Sequence, residues 1–150
     1  MGRRRRAREL ALQILFQLDS GQENLEEVLE TFWALHRHPG EIKEFANRIV
    51  NGTRKNLKAI DQKIARYAEH WEIKRMPTVD RNILRLAAYE LLYCPDIPIK
   101  VSLNEAVELA KKFSTEKSGQ FVNALLDRIA HEKNEKVSRR EREKRRISNY

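Results

Sequence analysis

The sequence predicts an all-α fold of seven helices. Apolar residues recur at steps of three and four in successive segments, and no segment alternates apolar and polar residues with the period of two that marks a half-buried strand. Charged residues make up 35% of the chain and aromatic residues only 7%, a composition typical of helix surfaces. With 150 residues, the chain is long enough to bury one core.

The first two helices have recognisable ends. Apolar residues between Leu10 and Leu18 lie on one stripe of a helix that Ser20-Gly21 terminates. The second helix follows Asn24, a favourable N-cap residue that has Glu27 three positions later. The run from His36 to Gly40, with its proline and glycine, ends this second helix.

The middle of the chain carries two more periodic stretches, from Ile42 to Val50 and from Leu57 to Trp71. Periodicity alone leaves open whether they are two helices or one helix kinked between Gly52 and Asn56. Pro77 breaks the pattern, and Thr78 is expected to cap the fifth helix, because a threonine side chain accepts the free N–H groups of a first turn. This fifth helix is nearly all apolar, so we expect it to be central.

The last two helices are predicted from their capping residues. Ser102 and Glu105 form a capping-box pattern for the sixth helix, and Ser118 is positioned to cap the seventh. Phe121 then fits either of two places. Its spacing to Leu125 suits the core, whereas its polar neighbours in the seventh helix suit an exposed anchor for a protein partner, and the sequence leaves both open.

The chain divides into a helical domain of residues 1–132 and a basic extension of residues 133–150. Within the domain, the break near Pro77 separates an N-terminal subdomain, about 1–73, from a C-terminal subdomain, about 78–132. The extension lacks an apolar stripe, so it either continues the seventh helix as a solvated helix or forms a disordered tail.

The positive charge is concentrated at the two ends of the chain. The formal net charge is +8, of which residues 1–9 carry +4 and residues 133–150 carry +5, so the body is nearly neutral. Basic ends on a neutral body are expected of segments that bind a polyanion, because phosphate neutralisation releases counterions. Nucleic acid is therefore the expected partner.

The arginine run is the strongest candidate binding element, and it is made of Arg3, Arg4, Arg5, Arg6 and Arg8. The planar guanidinium fork suits phosphate oxygens, and its flat face stacks on unpaired bases. These cations oppose the positive end of the helix dipole. We therefore expect Arg3 to Arg6 to be poorly ordered alone and to become ordered on RNA.

Several classes of function are not indicated. The single cysteine, Cys94, cannot form an internal disulfide, and no apolar run approaches the length of a membrane span, so we expect a cytoplasmic protein without a membrane role. No glycine-rich phosphate loop, nucleophile motif or zinc-ligand spacing is present, so we expect neither an enzyme nor a cofactor or metal. We expect Asp80 and Glu90 to form ordinary surface ion pairs with Arg81 and Arg85.

Four stretches resemble a known family: RRRARELALQILFQ, LRLAAYELLY, NEAVELAKKF and SGQFVNALLD. They are similar to the NusB family of bacterial transcription antitermination factors. The resemblance implies two three-helix bundles packed roughly perpendicular plus a C-terminal helix, and no catalysis. It implies binding to the boxA RNA of ribosomal RNA leader transcripts together with NusE, a small-subunit ribosomal protein, in the RNA polymerase antitermination complex.

The resemblance also implies roles for individual residues. The RNA-binding positions are Arg3, Arg4, Arg5, Arg6, Arg8, Phe16, Arg75, Gln120 and Asn123. The NusE-facing positions are Asp80, Ile83 and Phe121. Lys117 stands where family members often carry an acidic residue, so an ion pair to NusE is expected to be missing or reversed there. A homodimer is left open, as is a second interpretation, a general RNA-binding accessory module in ribosomal RNA processing.

Overall fold

A computed structural model describes residues 2–21, 24–69 and 71–148. These residues form seven α-helices and one short 3-10 helix, with no strand among them, and this confirms the predicted all-α class. The helices are α1 (Arg3–Asp19), α2 (Leu25–Leu35), α3 (Gly40–Lys55), α4 (Leu57–Tyr67), α5 (Thr78–Tyr93), α6 (Ile99–Phe113) and α7 (Glu116–Ser148). The 3-10 helix spans Ile73–Arg75.

Helix α5 is central, as its composition predicts. It packs against α1, α3, α4, α6 and α7, and every residue from Asn82 to Leu91 is buried. A helix covered on all sides must be apolar nearly all round, which explains its run of leucine, isoleucine and alanine. One hydrophobic core joins residues from both predicted subdomains, such as Ile49 and Leu126. The division into subdomains remains a prediction.

Helix α1 runs antiparallel to α5. Arg81 near the start of α5 binds Asp19 at the end of α1, and Glu90 near the end of α5 binds Arg8 near the start of α1. The first turn of α1 therefore lies at the C-terminal end of α5. Because a helix rises about 1.5 Å per residue, the two ends of α1 are roughly 24 Å apart.

Helix α7 runs parallel to α5 and continues beyond it. Ser118 donates a hydrogen bond to Asp80 at 2.9 Å, and the ammonium of Lys133 donates to the backbone carbonyl of Leu91. α7 remains helical to Ser148, so residues 133–148 are a helix rather than a tail. None of the helices in the described ranges is long and apolar enough to cross a membrane.

The third and fourth periodic stretches are two helices, which Asn56 separates. Its side-chain amide donates to the carbonyl of Gly52 at 2.8 Å and so satisfies one of the free carbonyls at the end of α3. Gly52 allows a close approach, since a Cβ there would lie 2.0 Å from the Tyr89 ring. α4 ends at Tyr67, so the predicted extension of this helix to Trp71 is wrong.

One capping prediction is confirmed. The Asn24 side chain accepts the N–H of Glu27 at 3.0 Å. The prediction for Thr78 is wrong, because α5 begins at Thr78 itself and Pro77 precedes it as the N-cap residue. Proline has a fixed φ that suits this position, and it needs no side-chain cap to set the chain direction.

The capping residues predicted for α6 and α7 are also different. α6 begins at Ile99, so Ser102 lies inside the helix, buried, and donates to Glu90 at 2.9 Å. At α7 the cap is Thr115, whose hydroxyl accepts the N–H of Ser118 at 3.0 Å. At α6 the predicted capping serine binds a tertiary partner instead. At α7 an earlier hydroxyl replaces the predicted cap.

Candidate nucleic-acid interface

The arginine run forms the first turns of α1. The carbonyl of Gly2 accepts the N–H of Arg6 at 3.2 Å, which closes the first turn. The run is therefore helical in the structure, and the expectation that Arg3 to Arg6 are poorly ordered alone and become ordered on RNA stays a prediction. Each guanidinium of the run has a carboxylate or an aromatic ring beside it, and these contacts offset the repulsion from the helix dipole.

Arg3 and Arg4 are the outermost members of the run, and both are exposed. Arg3 pairs with Glu41 at 2.6 Å, with 64% of the Arg3 side chain exposed. The Arg4 guanidinium lies 4.6 Å from the centroid of the Phe45 ring, within the range of a cation–π contact. Exposed ion pairs contribute at most about 1 kcal/mol, so an incoming phosphate can replace the glutamate.

Arg5 and Arg6 are half-buried. Arg5 donates three hydrogen bonds to Glu105, at 2.9, 3.1 and 3.3 Å, and this carboxylate raises the pKa of Arg5. Arg6 lies 3.5 Å from Glu9, a buried carboxylate that also binds Lys112 at 2.8 Å. Arg5, together with the Glu9–Lys112 pair, fixes the start of α1 against α6, and both arginines retain partly exposed guanidiniums.

Arg8 does not face solvent, which corrects its assignment to RNA binding. Its side chain is 2% exposed, and its guanidinium donates to both oxygens of Glu90, at 2.9 and 2.7 Å. Glu90 is 1% exposed, so the pair is wholly inside the protein. The sequence carried a signal for this, because Leu12 and Leu15 follow Arg8 at the i+4 and i+7 positions of the buried stripe.

Arg48 is a member of the same surface that sequence reasoning missed. It lines a concavity at the start of α1 together with Arg3, Arg4 and Phe45. Asp96 accepts two hydrogen bonds from Arg48, at 3.0 and 2.6 Å, and this pairing lowers the pKa of Asp96 and raises that of Arg48. Arg48 lies far from the run in sequence, so only the tertiary structure reveals it.

Gln120 and Asn123 lie near the start of α7, and a concavity connects them to Arg5 of the arginine run. Both are exposed, and they line a polar concavity between α6 and α7 that Arg5 also lines. Asn104 contributes a further amide to the concavity. Amides and a guanidinium in one concavity are groups that bind base edges and phosphate oxygens. We define the basic end as the surface formed by Arg3 to Arg6 and Arg48, from which this concavity leads along α6 to Gln120 and Asn123 at the start of α7.

Arg75 lies away from the basic end. It is exposed in the 3-10 helix, and the carbonyl of its neighbour Lys74 accepts a hydrogen bond from Arg81, which also binds Asp19. Arg75 is therefore near the C-terminal end of α1, opposite the arginine run. The structure does not bring these predicted RNA-binding residues together.

Phe16 also lies away from the basic end. It is 42% exposed and lines an apolar groove with Leu12, Val79 and Phe113. Twelve residues of helix place it about 18 Å along α1 from Arg4. The surroundings of Phe16 are these apolar side chains and the amides of Gln13 and Gln17 rather than cations, which suits a protein contact better than an RNA phosphate.

Phe121 is intermediate between its two predicted places. It is half-buried against the core, and the edge of its ring contacts Trp71 with 5.1 Å between centroids. Asp80, the neighbour of Val79, binds Ser118 one turn before Phe121. The Phe121–Trp71 pair and the apolar groove therefore flank the start of α5, and we call this combined surface the apolar end.

The assignment of Ile83 and Asp80 to a partner surface is corrected by their burial. Ile83 has no exposed surface, and Asp80 is 1% exposed. Both belong to the fully covered face of α5, so they support the apolar end from beneath. Asp80 and Glu90 likewise do not form the expected surface pairs with Arg81 and Arg85, because each carboxylate binds a residue of another helix.

A second ion network joins α5 to α1 and α4. Arg85 donates two hydrogen bonds to Asp61, at 2.9 and 3.0 Å, and approaches Asp19 at 3.2 Å. Desolvation raises the pKa of Asp19, but hydrogen bonds from Arg81 and Asn82 outweigh it and hold the pKa below its usual value. The network fixes the end of α1 that carries the apolar groove.

Comparison with known proteins shows the family of the chain. The model of the NusB family matches residues 5–131 of the chain. A relative from Myxococcus xanthus named transcription antitermination protein NusB is 48% identical over 135 residues, covering 87% of this chain and 96% of the relative. The protein of the same name from Thermodesulfovibrio yellowstonii is 44% identical over 140 residues, covering 87% and 93%. The chain belongs to the NusB family.

Solved structures of NusB-family proteins share the fold. A structure of T. maritima NusB superposes with a TM-score of 0.79 at 48% identity and covers 86% of this chain and 91% of that one. A crystal structure of the antitermination factors NusB and NusE in complex with dsRNA superposes with a TM-score of 0.78 at 30% identity, covering 87% and 98%. Residues 132–150 lie beyond the segment that the family model matches.

Proposed function

We propose that this NusB-family chain is an RNA-binding transcription antitermination factor. The observation that carries the proposal is the basic end, where exposed guanidiniums of the first turn of α1 lie beside an amide-lined concavity. Guanidiniums bind phosphates and the amides read base edges, so one surface offers both the affinity and the selectivity that RNA recognition requires.

The proposed RNA is the boxA element of ribosomal RNA leader transcripts. Membership of the NusB family supports this choice, because the relatives are named for transcription antitermination. Single-stranded RNA suits the basic end, since its unstacked bases can lie on Arg4 and reach Gln120 and Asn123. The role of the complex is then to help RNA polymerase pass terminators within the antitermination complex.

The proposed protein partner is NusE, bound at the apolar end. Phe16 and Phe113 are 42% and 37% exposed, and Trp71 is 36% exposed, so large apolar side chains lie at the surface around the start of α5. Exposed aromatic residues set in a groove are typical of the centre of a protein interface. A related NusB structure contains NusE and dsRNA together, which supports a partner of this kind.

RNA and NusE are expected to bind cooperatively. The basic end and the apolar end lie at opposite ends of α1, so the two ligands occupy separate surfaces of a single rigid helix. By linkage, if NusE tightens RNA binding by some factor, RNA tightens NusE binding by the same factor. No catalytic step is part of this function, and neither cofactor nor metal is proposed.

Fluorescence anisotropy tests this function directly. A labelled boxA RNA and a scrambled RNA of equal length are titrated with the protein, with and without NusE, over a salt series. Tighter binding of boxA that NusE enhances is the expected result. Equal binding to both RNAs would contradict boxA recognition and favour the general accessory module in ribosomal RNA processing.

Variants separate the two surfaces in the same assay. Arg3→Gln with Arg4→Gln removes two exposed cations and is expected to weaken RNA binding, with Arg3→Lys and Arg4→Lys as the charge-conserving control. Phe16→Asp is expected to abolish the NusE effect. Sedimentation of the protein alone tests whether a second copy of the chain occupies the groove instead. A homodimer that Phe16→Asp dissociates would contradict the NusE assignment.

A further inference from the structure

The C-terminal extension, residues 133–148, leaves the body at the same end of α5 as the arginine run. Lys133 donates a hydrogen bond to the carbonyl of Leu91, while Glu90, the preceding residue of α5, binds Arg8 of the arginine run. Both basic segments of the chain are therefore attached to the same turn of α5. Because α1 is antiparallel and α7 parallel to α5, both point past its C-terminal end.

The extension is fixed to the body at its base. The carboxylate of Glu132 accepts hydrogen bonds from Tyr67 and from Lys63, the latter at 3.0 Å, and it pairs with Lys136 at 3.3 Å within α7. α7 continues through this cluster without a break to Ser148. The extension thus projects from a fixed point as a helix about 22 Å long, given the rise per residue.

The extension has the charge of a polyanion-binding segment. Residues 133–148 contain eight basic and three acidic side chains. Every side chain from 134 to 148 is exposed. At 100° per residue the cations occur on most sides of the helix, and a sector of about 100° without cations carries Asn134, Val137, Glu141 and Ser148. The nearly neutral body does not offer this extension a negative charge of comparable size, whereas a phosphate backbone does.

A protein occupant is disfavoured by the lack of an apolar seam. Val137 and Ile147 are the apolar residues of the extension, ten positions apart. A helix that pairs with a second copy or fills a hydrophobic groove needs apolar residues at steps of three and four along one face. The extension therefore fits a nucleic-acid backbone rather than another helix.

We propose that the C-terminal extension is a second RNA-backbone contact, which holds RNA that continues past the basic end. This inference rests on the proposed function, and it adds a binding element outside residues 5–131, the segment that the family model matches. The cations are spread round the helix, so the contact is to phosphates. It increases affinity and salt dependence without changing base preference.

The test measures the salt dependence of RNA affinity for charge variants of the full chain. In the neutral variant, Arg139, Arg142, Arg145 and Arg146 are each replaced by Gln, which keeps a good helix former at every position. The slope of log Kd against log salt is expected to become less steep by about 0.7 for each phosphate of single-stranded RNA that the variant no longer neutralises, and so by up to about 3.

Two controls isolate charge from structure. Replacing the same four arginines by Lys keeps the charge and is expected to keep the slope. Glu141→Gln with Glu143→Gln removes two carboxylates from the extension and is expected to tighten RNA binding. Helicity by circular dichroism and the melting temperature of each variant establish that the fold is intact.

RNA length supplies an independent readout. An RNA that covers only the basic end is expected to bind the neutral variant and the parent chain equally, whereas an RNA lengthened at both ends is expected to distinguish them. An unchanged slope for the neutral variant on the long RNA would overturn the inference. If Arg3→Gln with Arg4→Gln still weakened binding in that case, the proposed RNA-binding function would stand without the extension.

Discussion

Replacing Arg8 by Met is expected to destabilise the protein strongly while leaving RNA recognition by the folded chain intact. Methionine keeps much of the side-chain length but removes the two hydrogen bonds to Glu90, at 2.9 and 2.7 Å. The Glu90 carboxylate is 1% exposed and then retains Ser102 as a donor. Removing one partner of a buried pair costs about 3–5 kcal/mol, because it leaves an uncompensated buried charge.

Thermal and urea unfolding measure this effect. For a chain of this size, a loss of about 3–5 kcal/mol corresponds to a fall in Tm of roughly 6–20 °C. Adding Glu90→Gln to Arg8→Met is expected to recover much of the loss, since the buried charge is then gone. Arg3→Met, which breaks an exposed pair, is the matched control and is expected to cost less than about 1 kcal/mol.

The reasoning about Arg8 has a clear refutation. If Arg8→Met changed the free energy of unfolding by less than the Arg3 control, the buried pair would not stabilise the fold. If Arg8→Met lowered the RNA affinity of the folded protein as strongly as Arg4→Gln, Arg8 would be a binding residue after all.

Three further predictions follow from single contacts. Glu132→Gln is expected to lower the free energy of unfolding by its full amount above pH 4.5 and by progressively less toward pH 2. The reason is that hydrogen bonding lowers the Glu132 pKa from 4.5 to about 2, so the stabilisation by the ionised carboxylate is lost as the pH falls through this range. Urea unfolding at several pH values checks this. Gly52→Ala is expected to lower the free energy of unfolding by about 1–3 kcal/mol, because the added Cβ collides with Tyr89. Adding Tyr89→Leu is expected to reduce this loss, and a double variant whose loss equals the sum of the two single losses would contradict the prediction. Glu41→Gln is expected to free Arg3 and tighten RNA binding up to about fivefold in anisotropy titrations, while weaker binding would contradict it.

Local signals in the sequence were sufficient for most of the helices. The helical spacing of apolar residues and the turn residues between segments predicted the ends of α1, α2 and α5 nearly as observed. The cap at Asn24 depends on a residue only three positions away. Such features are encoded within one or two turns of helix. The start of α6 differs because a tertiary contact replaces the local choice at Ser102.

The candidate site was only partly predictable, because equal charges have unequal surroundings. Arg3 and Arg8 are both arginines of one run, yet one is at the surface and the other is buried against Glu90, 82 positions away in sequence. Arg48 belongs to the basic end because the fold places it beside Arg3 and Arg4, from which it is distant in sequence. The charge of each side chain can be read from the sequence, whereas the partner that determines its role lies on a different helix.

The central claim is that RNA and a protein partner bind at opposite ends of α1. It is tested most directly by measuring, by calorimetry, the affinity of Arg4→Gln and Phe16→Asp for boxA RNA alone and for NusE alone. The account predicts that Arg4→Gln weakens RNA binding and leaves NusE binding unchanged, and that Phe16→Asp does the reverse. If either variant weakened both ligands equally while remaining folded, two separate surfaces would be contradicted.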